Sequence, residues 1–216
     1  MEDKQIIDSL KGLKEGPKKK FKQTIDLIIN LKNLDLKKPD EQVDTFLLLP
    51  RPKGKKTRVC ALVGPELLDQ AKKSMDSFVA QSDFENFQKN KGKAKNLAES
   101  ADFFVAQANI MPKIATTFGR VFGPRGKMPN PKAGCIVAPN ANLEAVNEKL
   151  QSTVRLLAKK QLIIQTIVGN EESPDEDVKE NVKAIYNSLM HSLPQGNNNI
   201  KSVYLKYTMG KPVKLV

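Results

Sequence analysis

The helix and strand patterning of this chain changes texture twice, near residues 58 and 153, and that double change restricts its possible folds more than any other feature. The N-terminal stretch begins with an amphipathic helix over residues 2–15, with Ile6, Leu10 and Leu13 on one face, and Gly16-Pro17 stops it because proline cannot continue the hydrogen-bond ladder. Two strands follow: TIDLIINL (24–31), alternating around Ile25, Leu27 and Ile29, and VDTFLLLP (43–50), ended by Pro50. The C-terminal stretch supplies TVRLLA and QLIIQTIVG, joined tightly around Lys159-Lys160. It then supplies a helix striped with Val178, Val182, Ile185 and Leu189, whose start at Ser173 and Glu176 reads as a capping box. A last strand, IKSVYLKYTMG, sets Val203 and Leu205 against Ser202, Tyr204 and Lys206 on the other face. Neither end has enough strands for a stable sheet alone, since an isolated hairpin is marginal. Paired, they predict a discontinuous two-helix α+β domain over residues 1–58 and 153–216.

The middle, residues 59–152, then reads as an insertion. RVCALVG is a short apolar strand closed by Gly64-Pro65, and a helical stretch with Leu67, Leu68, Ala71 and Met75 follows it. SFVA (77–80) and ADFFVAQA (101–108) read as further strands. DFENFQKN, KGKAKNLAES, residues 110–118 and NLEAVNEKL (142–150) read as helices. Strands alternating with helices imply an α/β domain with a largely parallel sheet. The fold class expected for the whole chain is therefore α/β in two domains.

Lys and Arg number 36 against 24 acidic residues, a formal charge of +12, and such a surplus favours polyanionic partners through counterion release. The outer segments hold 24 basic and 15 acidic residues, the middle 12 and 9, so the discontinuous domain is expected to carry most of that attraction. With no Trp and three Tyr, a broad base-stacking platform is not expected. No apolar run approaches the roughly 18 residues of a membrane span, and MEDKQIIDSLKG lacks the pattern of a secretory signal, so a cytoplasmic protein with no membrane partner is expected. Cys60 and Cys135 read as reduced, partly buried thiols. With His191 as the single histidine, neither a metal site nor nucleophilic catalysis is expected. Glu171-Glu172 and Asp175–Asp177 lie in a turn and a helix start, where acids favour the helix dipole. The chain is not expected to be an enzyme, and no cofactor is called for.

The segment GPRGKMPNPKAG (123–134) is the most distinctive local feature. It fails as a phosphate-binding loop: Met128 follows Lys127 where Ser or Thr is required, and the first glycine falls at Val121. Its three prolines make a stiff, extended loop. Gly123, Arg125, Gly126, Lys127 and Lys132 therefore suit either a secondary RNA contact or a structural loop at the domain junction, and the residues leave both open.

Together with SVYLKYTMGKPV (202–213) and KFKQTIDLIINLKNLDLKKPD (20–40), that segment resembles the ribosomal protein L-one family, which builds the lateral stalk of the large ribosomal subunit. The resemblance covers essentially the whole chain, and its length and DLKKP linker look archaeal. It implies a split β-α-β domain I and an inserted Rossmann-like domain II. It further implies that domain I binds large-subunit rRNA beside the exit site for deacylated tRNA, that the stalk takes part in moving that tRNA out, and that the protein binds a similar structure in its own mRNA and represses its translation. A monomer is expected off the ribosome.

Carried over by resemblance, the RNA contacts fall on Phe21, Thr24, Asp26, Ser202, Tyr204, Thr208, Met209 and Gly210, with Lys20, Lys22 and Lys206 adding phosphate contacts. Thr and Ser hydroxyls can bond the 2′-OH that distinguishes RNA from DNA. Gly210 permits close approach, and Met209 and Phe21 offer apolar surface to sugar or base. Asp26 is repelled by phosphate and must accept a hydrogen bond from a sugar hydroxyl or base amine.

Overall fold

The computed structural model describes residues 3–14 and 19–215; the Gly16-Pro17 helix stop and Lys18 of the basic run lie outside the described residues. The chain divides into two compact units, Met1–Lys55 with Ser152–Val216, and Lys56–Gln151. Unit 1 opens with α1 (Asp3–Lys14), β1 (Thr24–Leu31) and β2 (Val43–Leu48). Unit 2 runs through β3 (Val59–Val63), α2 (Leu68–Ser74), β4 (Ser77–Ala80), α3 (Phe84–Lys89), α4 (Lys91–Ser100), β5 (Phe103–Gln107), α5 (Met111–Phe122), β6 (Ile136–Val137) and α6 (Leu143–Ser152). The chain completes unit 1 with β7 (Thr153–Ala158), β8 (Ile163–Asn170), α7 (Asp175–Ser192), β9 (Ile200–Tyr207) and β10 (Val213–Lys214).

In unit 1 the strand order is β10-β9-β1-β8, every pair antiparallel, with β2 and β7 forming a separate antiparallel pair. Because β1 lies antiparallel between β8 and β9, those two run parallel, and α7 makes the crossover between them: a split β-α-β arrangement. Period-two alternation sends Ile25, Leu27, Ile29 and Leu31 of β1 into the core, where they meet Ile6, Leu10 and Leu13 of α1 and the Val178–Val182–Ile185–Leu189 stripe of α7. Each such side chain contributes roughly 1.5–3 kcal/mol by leaving water. The alternate residues Thr24, Asp26, Ile28 and Asn30 are left half-exposed on the opposite face.

Two buried asparagines tie loops to this frame. Asn181 donates to Arg51 O (3.2 Å) and Val168 O (2.8 Å), while its Oδ1 accepts the Arg51 N–H (3.1 Å). Asn199 donates to Lys32 O and Asn33 O and accepts the Gln195 N–H. The expected capping box is not formed. The Ser173 hydroxyl accepts the Asn170 N–H (3.0 Å) and donates to Asn170 Oδ1 (2.8 Å), while Glu176 pairs with Lys179. A nearer partner, at the end of β8, outcompetes the helix N–H groups for the short serine side chain.

Unit 2 is a four-stranded parallel sheet of order β4-β3-β5-β6. All five residues of β3 are buried, as a strand covered on both faces requires. Cys60, Leu62, Phe104 and Ala106 pack with α4 and α5, and Val59, Ala61, Val63 and Val105 pack with α2 and α6. The fold is thus α/β and doubly wound. Burial pushes both cysteine thiols up to about 11, so neither Cys60 nor Cys135 is a nucleophile near neutral pH. No helix among the described residues is long and apolar enough to cross a membrane.

Candidate nucleic-acid interface

The β1–β9 register assembles a polar face from opposite ends of the chain. It sets Asp26 opposite Lys206, Ile28 opposite Tyr204 and Asn30 opposite Ser202. Beyond the end of β9, the Thr208 N–H donates to Thr24 O (3.1 Å), and the Thr24 and Thr208 hydroxyls bond each other at 2.7 Å. Most of the residues carried over by resemblance therefore stand on two adjacent strands and the turn that follows. β8 borders the same face, with Gln165 opposite Ile28, and a shallow depression of about 280 Å³ lies among Asp26, Ile28, Gln165, Ile167 and Lys206.

The turn owes its shape to short-range contacts. Gly210 N–H donates to Tyr207 O (2.9 Å), closing a tight turn that lifts Met209 into solvent at 66% exposure. A Cβ at Gly210 would meet Tyr207 Cβ at 3.0 Å, so the glycine answers a close approach. Met209 N–H is held by Gln23 Oε1 (3.2 Å), a side chain only 4% exposed. Phe21, at 52% exposure, is a second apolar projection on the approach to β1. Lys20 is exposed, and Lys22 is drawn to Glu172 (2.9 Å).

Asp26 is half-buried, and burial raises its carboxyl above the ordinary range; the Thr24 hydroxyl (3.4 Å) and the charges of Lys206 and Lys55 oppose the rise. Ser202 is placed on this face but buried, accepting from Asn30 Nδ2 at 2.9 Å. Asn30, Gln165, Lys55 and Lys214 (the register partner of Tyr204) are surface residues that sequence reasoning missed. Alternation in β1 already put Asn30 on the face of Thr24 and Asp26; Gln165 and Lys214 needed the strand order, and Lys55 the course of the connection after β2.

The basic loop of 123–134 lies within unit 2, apart from that face in the chain's division. Lys127 is half-buried and donates to Ala101 O (2.9 Å) and Asp102 O (3.2 Å), just past α4; burial lowers its ammonium below the ordinary range. Arg125 donates to Val121 O (3.3 Å) and lies 3.7 Å from Glu99. A Cβ at Gly123 would strike Gly119 O at 2.7 Å, and Gly126 holds a left-handed φ of 64°. Lys132 is exposed. In doubly wound sheets small ligands bind at the strand carboxyl ends where the order reverses, here between β3 and β5. That crevice holds the Gln107 side chain, which accepts the Gly64 N–H (2.9 Å) and donates to Glu66 (2.7 Å).

Comparison with known proteins agrees with this architecture. A family model described as the Ribosomal protein L1p/L10e family matches residues 13–211. The chain is 44% identical to the large ribosomal subunit protein uL1 of Nanoarchaeum equitans over 214 residues, covering 97% of this chain and 99% of that one. It is 37% identical to the uL1 of Methanothermococcus thermolithotrophicus over 216 residues (100% and 99%) and 35% identical to that of Thermococcus kodakarensis over 213 (98% and 96%).

Proposed function

The chain belongs to the ribosomal protein L1p/L10e family, archaeal in type, and on that premise we propose that it is a structural constituent of the large ribosomal subunit that binds large-subunit rRNA through the β1–β9 face. The observation that carries this reading is the register that brings Thr24 and Asp26 beside Tyr204, Lys206 and the Thr208–Met209–Gly210 turn. That surface offers hydroxyls and one carboxylate for 2′-OH and base groups, lysines for phosphate, and two exposed apolar side chains. The role is one of binding and positioning, not catalysis.

Two finer roles rest on the family likeness. On the ribosome, the protein forms the lateral stalk and assists release of deacylated tRNA from the exit site. Off the ribosome, as a cytoplasmic monomer, it binds a similar structure in its own mRNA and represses translation. The second role suits a surface that reads a local RNA shape, since any RNA presenting that shape competes for it.

The test is binding of the full chain to large-subunit rRNA fragments across a salt series, with unrelated structured RNA as competitor. Tight binding to one fragment that survives competition supports the rRNA reading. Equal binding to every RNA reduces the protein to a basic polyanion binder and overturns it.

A further inference from the structure

Behind the Thr208–Met209–Gly210 turn lies a cavity of about 370 Å³, bounded by the end of α1, the approach to β1 and the β9–β10 connection. Its walls are mixed in a way that suits one class of ligand. Leu13 and Val213 give it apolar sides, and Met209 borders it from the turn. Gln23 and Tyr207 line it too, at 4% and 6% exposure. Both keep donors to spare: Gln23 uses Oε1 to hold Met209 N–H, and its amide NH₂ has no partner among the described residues. The Tyr207 hydroxyl has none there either, and burial with the nearby Glu171 and Asp175 raises it above the ordinary phenol range, so it stays a donor at neutral pH. At the rim stand the exposed lysines Lys19 and Lys211.

No sealed side-chain nitrogen or oxygen among the described residues lacks a partner, so these two donors open onto the water of the cavity, where the acceptor edge of an occupant would replace it. The volume sits at the lower end of the roughly 300–1,000 Å³ typical of small-ligand sites, enough for a single nucleoside and far too small for a duplex. We propose that the cavity receives one unstacked nucleotide of the bound RNA, its base between Leu13 and Val213 and edge-bonded by Gln23 and Tyr207, its phosphate met by Lys19 and Lys211. This deepens the rRNA reading above and rests on it. The turn is then a wedge: RNA contacts the open sheet face on one side of Met209, and a single base passes to the other. Such extrusion is how proteins read the edges of single-stranded bases that a helix conceals.

The experiment uses the full chain and the rRNA fragment it binds, carrying an abasic substitution at each unpaired nucleotide in turn, against the natural chain and Gly12→Phe. Gly12 borders the cavity and a Cβ there meets nothing within 4 Å, so the new ring fills the pocket while a helical glycine is removed. Tyr207→Phe, which deletes one oxygen, is the second variant. One abasic position is expected to weaken binding to the natural chain about tenfold, a typical loss for a base stack. The same substitution is expected to have no further effect in Gly12→Phe, which binds the intact fragment about tenfold more weakly. Tyr207→Phe is expected to lose part of the affinity for the intact fragment only. If the natural chain binds its fragment specifically and no abasic effect vanishes in Gly12→Phe, the cavity proposal is overturned and the rRNA reading stands. If the natural chain fails to distinguish the fragment from unrelated RNA, both fall.

Discussion

At Asp26, folding and RNA recognition set opposite demands. A half-buried carboxylate facing phosphate is poor design for either charge balance or stability, and burial raises its proton affinity in spite of Lys206 and Lys55. A raised carboxyl makes its stabilising contribution fully below the unfolded value of 3.8 and loses it as pH rises through the folded value. Asp26→Asn should therefore stabilise the fold at neutral pH, by under about 1 kcal/mol because solvent screens a half-exposed group, and flatten the pH dependence of denaturant unfolding above 3.8. It should also weaken rRNA binding, since the amide cannot replace a carboxylate as a double acceptor; unchanged affinity would remove Asp26 from the interface. The turn and the lysines differ in kind from this. Thr208→Val with Met209→Ala should cost specific binding on the order of a few kcal/mol while leaving unrelated RNA alone. Lys20→Ala should weaken all RNAs alike and reduce the salt slope by about one. If the two variants behave alike across a salt series, the division into specifying and positioning contacts is wrong.

Among the elements, those with a strong period were legible in the sequence and those fixed by competition were not. β1 was readable because Ile25, Leu27 and Ile29 alternate, and α7 because its stripe from Val178 to Leu189 repeats over about three turns. β6 and β10, two residues each, carry no period to read; they exist because β5 and β9 offer them an edge. The helix start at Ser173 departs from the expected cap because a sequence pattern names an acceptor and its helix donor but not the rival donor, and the Asn170 N–H takes the serine oxygen instead. The same limit applied to the proline-rich loop, where composition alone could not separate an RNA contact from a strut. Its lysine now has a structural job: Lys127 satisfies the carbonyls left open after α4. Lys127→Met should therefore destabilise unit 2 by about 1–3 kcal/mol in denaturant unfolding while leaving the salt slope of RNA binding unchanged. A lowered slope with unaltered stability would make it a phosphate contact instead.

At the scale of the whole molecule, net charge turns out to be the weaker guide. With Lys56 and Arg58 falling in unit 2, unit 1 carries 22 basic and 15 acidic residues and unit 2 carries 14 and 9, so both attract polyanions. What separates the units is covalent economy of another sort, the closeness of the cut ends within each. In unit 2, the Thr57 N–H donates to Gln151 Oε1 (2.8 Å) and Gln151 Nε2 donates back to Thr57 O (2.9 Å), which pins the two ends of the insertion together. In unit 1, Lys53 Nζ lies 3.0 Å from Thr153 O, so its two segments can be rejoined across about the reach of one lysine side chain. Each unit also has its own hydrophobic core. Residues 56–151 should accordingly fold when excised, and residues 1–55 joined to 152–216 by a short glycine-serine linker should fold without them. Both should bind RNA at low salt. Only the joined unit 1 should keep its preferred rRNA fragment when unrelated RNA competes at physiological salt, because base and sugar contacts survive the screening that removes phosphate attraction. A joined unit 1 that folds and then loses the preference would place part of the recognition surface in unit 2, and the exposed Lys132 loop would be the first place to look for it.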